Sequence, residues 1–171
     1  GLRALIGKAG LKAPYTSASA AFGLAPRINA AGRIGSPSDA LSLLTEEDPD
    51  KAEALAEKIC ELNAERKNYE NAVLADIYEK IKENPAVLDK RVIVFSGVDW
   101  HHGVVGIVAA RCMEKFGRPV FLMSRNRGDT EVRGSARSFG GFSIFKALSF
   151  AADTLTKFGG HSGAGGFSLT E

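Results

Sequence analysis

The sequence predicts an α/β (α+β) fold in which a domain with a mixed sheet flanked by helices is preceded by a long connecting helix and a short helical N-terminal segment. Three observations support this. Residues 1–35 are rich in small residues and turn formers, residues 49–83 carry an apolar stripe at three- and four-residue steps, and short apolar runs alternate with helical patterns from residue 86 onward. With 171 residues, 44% of them hydrophobic, the chain can bury a substantial core.

The N-terminal segment, residues 1–35, predicts short helices joined by tight turns, because glycine and proline recur throughout it. Within it we interpret "FGLAPRINAAGRIG" (22–35) as a crowded turn that presents donors from Arg27 and Arg33. The stretch that follows predicts a short helix, with Ser36 or Ser38 as its N-cap and a proline in the first turn.

The long helix is expected to begin at Pro49 and to end at Glu83, before Asn84-Pro85, with Asp48 as its cap. At about 1.5 Å per residue it would reach roughly 50 Å, which is longer than a small domain is wide. The polar interval 63–68 interrupts the apolar stripe, as expected if the two ends bury against different neighbours. A connecting role follows, with a plain antiparallel helical pair as the alternative.

Alternating strands and helices are predicted after Pro85. The domains are expected to span 1–45, 46–85 and 86–171, and because a predicted strand starts just where the sequence ends, we expect the third to be truncated. The predicted strands are 91–96, 118–124, 130–138 and a run from 165, and the predicted helices are 103–117 and 143–155.

Charge is unevenly distributed along the chain. Residues 1–35 carry a net charge of +5, residues 36–116 carry −6 and residues 117–171 carry +3. The two positive ends are also rich in glycine, so they could converge on a polyanion, although surface charge that merely drifts along a chain gives the same sums.

No stretch approaches the roughly 18 apolar residues that a membrane span requires, and no signal peptide is recognisable at the start. We therefore expect a cytoplasmic protein without membrane contact. Cys60 and Cys112 lack CxxC spacing and are expected to be ordinary reduced thiols.

The adjacent His101 and His102 stand between a predicted strand and a predicted helix. Adjacent residues diverge on either element, so they could share a metal only on an irregular loop. Further ligands are scarce, because Asp99 is the one acidic residue within ten positions of the pair. We expect no metal site here. The helix start, with Gly103 and Gly106, favours an anion instead.

Two further motifs suggest phosphate contacts. In "RGSARS" (133–138), residues 133, 135 and 137 project from one face of a strand, so that two guanidiniums flank a hydroxyl. In "KFGGHSGAGG" (157–166), five glycines surround His161. That density indicates either a backbone that cradles phosphate or a tight loop between strands.

In this order, "FGLAPRINAAGR", "LNAERK", "WHHGVVGIVAAR", "GSARS" and "FGGHSGAG" resemble motifs of the RecJ-type single-strand-specific DNA exonucleases of the DHH phosphoesterase superfamily. The resemblance spans essentially the whole chain. It implies that residues 1–45 are the C-terminal tail of a DHH domain, that 46–85 are the connecting helix and that 86–171 are a DHHA1 domain. The metal-binding aspartates and the DHH triplet of the family are absent from this sequence.

By that resemblance, the intact enzyme uses Mn²⁺ or Mg²⁺ to cleave single-stranded DNA from its 5′ end (5′-to-3′), with the metals on the missing DHH domain of the same polypeptide. The chain itself would bind no metal, hold no catalytic residue and be inactive alone. Its DNA-phosphate-binding residues would be Ser135, Arg137, Arg27, Arg33, Gly159, Gly160, His161 and His101.

Which aromatic residues stack on bases is left open between Trp100, Phe139 and Phe142, with core packing as the alternative for each. Two other functions also stay open. One is the substrate-binding domain of a DHH-family phosphodiesterase acting on short RNA or cyclic dinucleotides, although "PRINAAGR" favours the RecJ branch. The other is a DHHA1 RNA-binding module such as that of alanyl-tRNA synthetases.

Overall fold

A computed structural model describes residues 1–170 and organises the chain as two units, Gly1–Asn68 and the part from Tyr69 onward. The mixed α/β class is confirmed, whereas the three-domain division at residues 45 and 85 stays a prediction. The unit boundary falls inside the long helix. Within residues 1–170, no helix combines the length and the apolar character that a membrane crossing demands.

Short helices build the first unit: α1 (Leu2–Lys8), a π-helical segment (Ser19–Leu24), α2 (Ala25–Ile34), α3 (Pro37–Thr45) and the first part of α4 (Pro49–Glu83). They share an apolar core formed by Leu5, Ala31, Ala40, Leu43, Ala56 and Ile59. The N-terminal segment is therefore held by contacts with residues far along the chain.

The predicted crowded turn at 22–35 is wrong, because most of this stretch is helix α2. Pro26 stands in its first turn, where a missing N–H costs no hydrogen bond. Ala30 and Ala31 are small enough to be fully buried. Of the two proposed caps of α3, Ser36 is the cap, and its Oγ accepts from the backbone N of Ser38 at 3.3 Å.

Helix α4 has the bounds that the sequence predicts. The carboxylate of Asp48 caps it, since Oδ1 accepts from the backbone N of Asp50 at 2.9 Å and of Lys51 at 3.3 Å. Within the second unit, the Trp100 indole Nε1 donates to Asp76 of this helix at 2.9 Å. The buried Glu70 carboxylate also lies 3.0 Å from the Arg111 guanidinium.

The second unit is a five-stranded sheet with two main helices. Its strands run in the order β1-β2-β3-β5-β4, with β1 and β2 parallel and the other pairs antiparallel. Its elements are β1 (Ile93–Val98), α5 (His102–Phe116), β2 (Val120–Arg125), β3 (Glu131–Arg137), α6 (Ile144–Phe150), β4 (Lys157–Gly160) and β5 (Ala164–Thr170), with 3₁₀ turns at Pro85–Asp89 and Ala152–Thr154.

The predicted elements of this unit are confirmed with shifts of a few residues. Helix α5 ends as expected at Gly117, whose φ of 65° is the left-handed cap conformation that glycine adopts without strain. The predicted helix 143–155 is shorter than expected, because the chain leaves the α-helix at Ala151 and tightens into a 3₁₀ turn.

The two faces of the sheet differ because side chains alternate along each strand. On the α6 face, Ala136 and Phe167 pack against Ile144 and Leu148 of helix α6. On the α5 face lie the neighbours of Ala136 in sequence, Ser135 and Arg137, and helix α5 covers part of that face. Strand β3 therefore contributes to the core on one side and to a polar surface on the other.

Candidate nucleic-acid interface

Ser135 and Arg137 form a hydrogen-bonded pair at the end of β3. The Arg137 Nη1 donates to Ser135 Oγ at 2.8 Å and to the carbonyl oxygen of Ala136 at 2.8 Å. Since the serine oxygen accepts this bond, its own hydrogen is left to be donated elsewhere. A hydroxyl and a guanidinium that converge in this way suit the oxygens of a phosphate.

Arg133 lies on the same face but does not flank Ser135 as expected. Its Nε and Nη2 donate to Oε2 of Glu131 at 2.9 and 2.7 Å. Through these bonds the Arg133 guanidinium lowers the pKa of the Glu131 carboxyl. The charge of Arg133 is thus partly balanced within its own strand, so that Arg137 is the arginine of the motif that turns toward the serine.

The hairpin between β4 and β5 holds His161 beside the end of β3. The backbone N of His161 donates to the carbonyl of Ala164 at 2.8 Å, and the carbonyls of Gly163 and Ser162 accept from Ser138 and Ile144, both at 2.9 Å. The glycine-rich stretch is therefore a tight loop between strands, tied to the residue that follows Arg137. Its role in holding phosphate stays a prediction.

Gly159 and Gly160 lie on opposite faces of the sheet. The register places Gly159 across from Gly166 and, through it, in line with Ser135 on the α5 face. A Cβ at Gly159 would meet nothing within 4 Å. Gly160 lies in line with Ala136 on the other face and has a φ of 145°, which favours glycine. The fold explains the second glycine and leaves the first without a structural reason.

His101 and His161 make the same local hydrogen bond. In each, Nδ1 accepts from the backbone N two residues later, at 3.1 Å from Gly103 and at 3.2 Å from Gly163. An accepting Nδ1 places the proton of the neutral ring on Nε2. His101 also caps α5 and stacks on Tyr69, with ring centroids 4.8 Å apart. Both rings can therefore donate through Nε2.

The candidates of this unit do not all lie at one end of the sheet. Arg137 is in register with Val120 and through it with Ile93, at the start of β1, whereas His101 follows the end of β1. Ser135, Arg137, Gly159 and the His161 hairpin lie toward the same end of the sheet, whereas the backbone of His101 lies toward the opposite end of the strands.

His102 begins helix α5 and lies near Arg133. Partial burial, and then the charge of that arginine, lower the pKa of its imidazole. The ring therefore stays neutral at pH values where an exposed histidine would begin to gain a proton.

The residues that the structure describes do not fit a divalent-metal centre. Nowhere within residues 1–170 do three His, Cys, Asp or Glu side chains come together in a group that could hold an ion. His101 and His102 offer imidazole nitrogens, whereas Mg²⁺ and Mn²⁺ prefer oxygen ligands. Nδ1 of His101 is already used by a backbone N–H, and Oδ1 of Asp99 accepts from the backbone N of Arg127 at 2.8 Å.

Arg27 and Arg33 lie in the first unit, on helix α2. The Arg27 Nη1 donates to the carbonyl of Gly23 in the π-helical segment, and its Nε is buried without a hydrogen-bond partner. Arg33 is exposed. Six positions on a helix turn by about 600°, so the two side chains leave α2 in directions about 120° apart.

Of the three aromatic candidates, Phe139 alone is well exposed. It is 53% exposed and lines a cavity of about 380 Å³ between the 138–143 loop and the His161 hairpin. Trp100 is wrong as a stacking candidate, because it is 5% exposed and its Nε1 is bonded to Asp76. Phe142 is half-buried against the α6 core, with its ring edge-on to Phe121.

Gly106 is a contact of this site that the sequence did not identify as such. A Cβ on this residue of α5 would lie 2.7 Å from Nη2 of Arg137 and 3.0 Å from Oγ of Ser135. The sequence groups Gly106 with the start of the helix. Only the packing of α5 across β3 brings it to the Ser135–Arg137 pair, and the one sequence signal was a glycine placed inside a helix, where it is unfavourable.

Residues 89–171 match the family model described as "DHHA1 domain". Three relatives, from Bacillus subtilis (strain 168), Thermus thermophilus and Escherichia coli (strain K12), are named single-stranded-DNA-specific exonuclease RecJ. They are 40%, 39% and 37% identical over 86%, 88% and 100% of this chain. The chain covers 19%, 21% and 31% of their lengths, so it spans less than a third of each.

Solved RecJ structures share the fold. The crystal structure of RecJ from Thermus thermophilus in complex with Mg²⁺ matches with a TM-score of 0.82 at 36% identity, over 99% of this chain and 26% of that chain. A crystal structure of exonuclease RecJ bound to manganese matches with a TM-score of 0.83 at 38% identity, over 99% of this chain and 41% of that chain.

Proposed function

Because residues 89–171 belong to the DHHA1 domain family and the chain resembles RecJ exonucleases along its length, we propose that it is the nucleic-acid-binding part of a RecJ-like 5′-to-3′ single-stranded DNA exonuclease. Its task is to position substrate phosphates. The observation that carries the proposal is the Ser135–Arg137 pair, which aims a hydroxyl and a guanidinium at one side of the sheet.

Phosphate binding at this pair follows from its chemistry. The guanidinium offers N–H groups and a permanent positive charge, and the serine hydroxyl, which accepts from Arg137, donates its own hydrogen to a phosphate oxygen. The backbone at Gly159 leaves room for the strand on the same face, and the Nε2–H of His161 supplies a further donor. Gly160 shapes the hairpin that carries it.

Separate phosphate contacts are proposed for three residues outside this cluster. Arg27 and Arg33 of the first unit and His101 at the start of α5 are proposed to bind further phosphates, the arginines by charge and His101 through Nε2–H. Phe139 is the proposed stacking surface for a base, because its side chain is half exposed beside a cavity and is therefore accessible to a nucleobase. Stacking tolerates any base, so specificity for sequence is not expected.

Hydrolysis is assigned to a DHH domain elsewhere in the same polypeptide. There Mn²⁺ or Mg²⁺ would activate water and polarise the phosphoryl group. The described residues of this chain offer no cluster for such an ion, so their part is to bind and orient the strand. The chain alone is accordingly proposed to be inactive as a nuclease.

Fluorescence anisotropy with a 5′-phosphorylated single-stranded oligonucleotide tests the proposal. We expect weak binding. The logarithm of the association constant should fall linearly with the logarithm of the salt concentration, with a slope of about −0.7 for each phosphate contacted. A duplex of the same sequence and a single-stranded RNA are the comparison probes. Preference for RNA would favour a tRNA-synthetase-type module or a short-RNA phosphodiesterase instead.

A nuclease assay with Mn²⁺ complements the binding measurement. The chain is assayed beside a longer polypeptide that also carries the DHH domain. Cleavage is expected only from the longer protein. Cleavage by the 171-residue chain at a comparable rate would show that the assignment of the chemistry is wrong.

A further inference from the structure

Gly106 lies on helix α5 directly over the Ser135–Arg137 pair. We infer that Gly106 is a positioning residue of the DNA-binding site: its missing side chain leaves the space in which the Arg137 guanidinium lies, and so keeps that guanidinium on Ser135. The inference rests on the proposed function, because it names what sets the geometry of the phosphate-binding pair.

The distances define the space. A Cβ on Gly106 would lie 2.7 Å from Nη2 and 3.5 Å from Cζ of Arg137, and 3.0 Å from Oγ of Ser135. Carbon and nitrogen atoms that are not bonded pack at roughly 3.5–4.0 Å, so a methyl group and the guanidinium cannot both occupy this place. The flat guanidinium fills it, and from there its Nη1 reaches Ser135 Oγ at 2.8 Å.

The backbone does not otherwise require glycine at this position. Gly106 is inside a regular helix that runs from His102 to Phe116 and is not among the described glycines with a positive φ. Alanine is the better residue in a helix, so glycine here weakens α5. The atoms that a Cβ would meet belong to the ends of Ser135 and Arg137, and the glycine is explained by what those side chains must do.

Alanine at position 106 is therefore expected to separate folding from binding. Arg137 is long and flexible, so its guanidinium can move aside and the chain still folds, with a melting temperature equal to or above that of the unmodified chain. The displaced guanidinium loses its bond to Ser135 and its orientation toward a phosphate. A residue with a purely structural role would not produce these opposite changes.

The test measures affinity for a 5′-phosphorylated single-stranded oligonucleotide by fluorescence anisotropy, together with thermal melting, for G106A, R137A and the double variant. Gly7→Ala is the matched control, because Gly7 is also helical and a Cβ there would meet nothing within 4 Å. We expect G106A to lower affinity roughly tenfold, the loss of one hydrogen bond to a charged group, and Gly7→Ala to leave it unchanged.

The double variant tests whether Gly106 acts through Arg137. If it does, G106A should cost nothing further once the arginine is gone, and the double variant should bind as weakly as R137A alone. A displaced Nε–H signal of Arg137 in ¹H–¹⁵N NMR spectra of G106A would support the inference independently of DNA.

The remaining outcomes distinguish failure of the inference from failure of the proposed function. Full affinity in G106A beside a weakened R137A would overturn the role of Gly106 and leave the proposed function intact. Full affinity in R137A would overturn the proposed function and, with it, this inference. Additive losses in the double variant would show that Gly106 does not act through Arg137.

Discussion

The two faces of the sheet in the second unit show how one strand serves two purposes. On the α6 face, Ala136 of β3 is fully buried against Ile144 and Leu148. On the α5 face, its neighbours Ser135 and Arg137 are half-buried and hydrogen-bonded to each other. A shift of one residue in register would exchange these roles, so the apolar face fixes the position of the polar one.

This comparison predicts that stability and DNA binding depend on different side chains only one residue apart. Substitutions on the α6 face should lower the free energy of unfolding and leave the affinity of the folded fraction unchanged. Substitutions of Ser135 and Arg137 on the α5 face should do the reverse, whereas the buried Val120 and Leu122 of that face belong to the core.

The largest effect is expected from Ile144→Ala on the α6 face. Ile144 is fully buried, and removing a buried aliphatic side chain costs about 2–5 kcal/mol of unfolding free energy. Urea titration followed by circular dichroism measures it. Phe150→Ala, on the same helix but 96% exposed, is the control and should change stability by less than about 0.5 kcal/mol. Equal losses for the two would show that α6 is not part of the core.

Arg137→Ala should weaken binding by about 1.5–3 kcal/mol, because in the proposed site this arginine would donate charge-assisted hydrogen bonds to a phosphate. The slope of the association constant against salt concentration, on logarithmic axes, should also decrease by the amount that one phosphate contact contributes. Arg127→Ala removes an arginine that is 88% exposed and is the control for charge alone. Arg137→Lys keeps the charge without the fork and should recover only part of the loss. An equal effect of the two alanine variants would contradict a specific phosphate site.

Gly160 and Gly159 are adjacent residues of β4 on opposite faces of the sheet, so one should affect stability and the other DNA binding. Gly160→Ala should destabilise the chain by about 1–2 kcal/mol, since its φ of 145° is unfavourable for any residue with a Cβ. Gly159→Ala should leave the melting temperature unchanged, because its Cβ would meet open space, and should weaken DNA binding on the α5 face. If Gly159→Ala binds DNA normally, the strand does not pass over β4.

The smallest effect concerns pH and His102. Burial and Arg133 lower the pKa of this imidazole in the folded chain, so the unfolded chain binds the proton more tightly. The stability that His102 contributes is complete above its unfolded pKa, about 6.5, and is lost as the pH falls toward the folded value. Urea midpoints at pH 7.5 and 5.5 should therefore differ slightly more for the unmodified chain than for His102→Gln. An identical difference would mean that the ring is solvated in the folded state.

Helix α4 and the order of elements from β1 to α6 were predictable from the sequence because they depend on local signals, whereas strand β4 (Lys157–Gly160) was not predicted. The cap at Asp48, the proline at its start and the apolar stripe define α4 to the residue. Helix α2 was missed because glycine, proline and alanine at 22–35 indicated a turn. Burial of Ala31 against distant helices decides the outcome there, and local sequence patterns cannot include it.

The site was predictable as far as strand alternation and short motifs allow. Alternation places residues 133, 135 and 137 on one face, as found, but the pairing of Arg133 with Glu131 depends on rotamers. The contact of Gly106 with Arg137 depends on how α5 crosses β3, and the burial of Trp100 on its bond to Asp76 of α4. These are contacts between residues far apart in sequence, which motifs do not encode.

The α5 face near Ser135 and Arg137 is proposed to receive a phosphate of single-stranded DNA. Backbone ¹H–¹⁵N NMR spectra recorded during titration with a 5′-phosphorylated oligonucleotide test it most directly. Amide signals of 135–138 and 161–163 are expected to shift, while those of helix α6 stay in place. Shifts centred on α6, or none at saturating DNA, would contradict it.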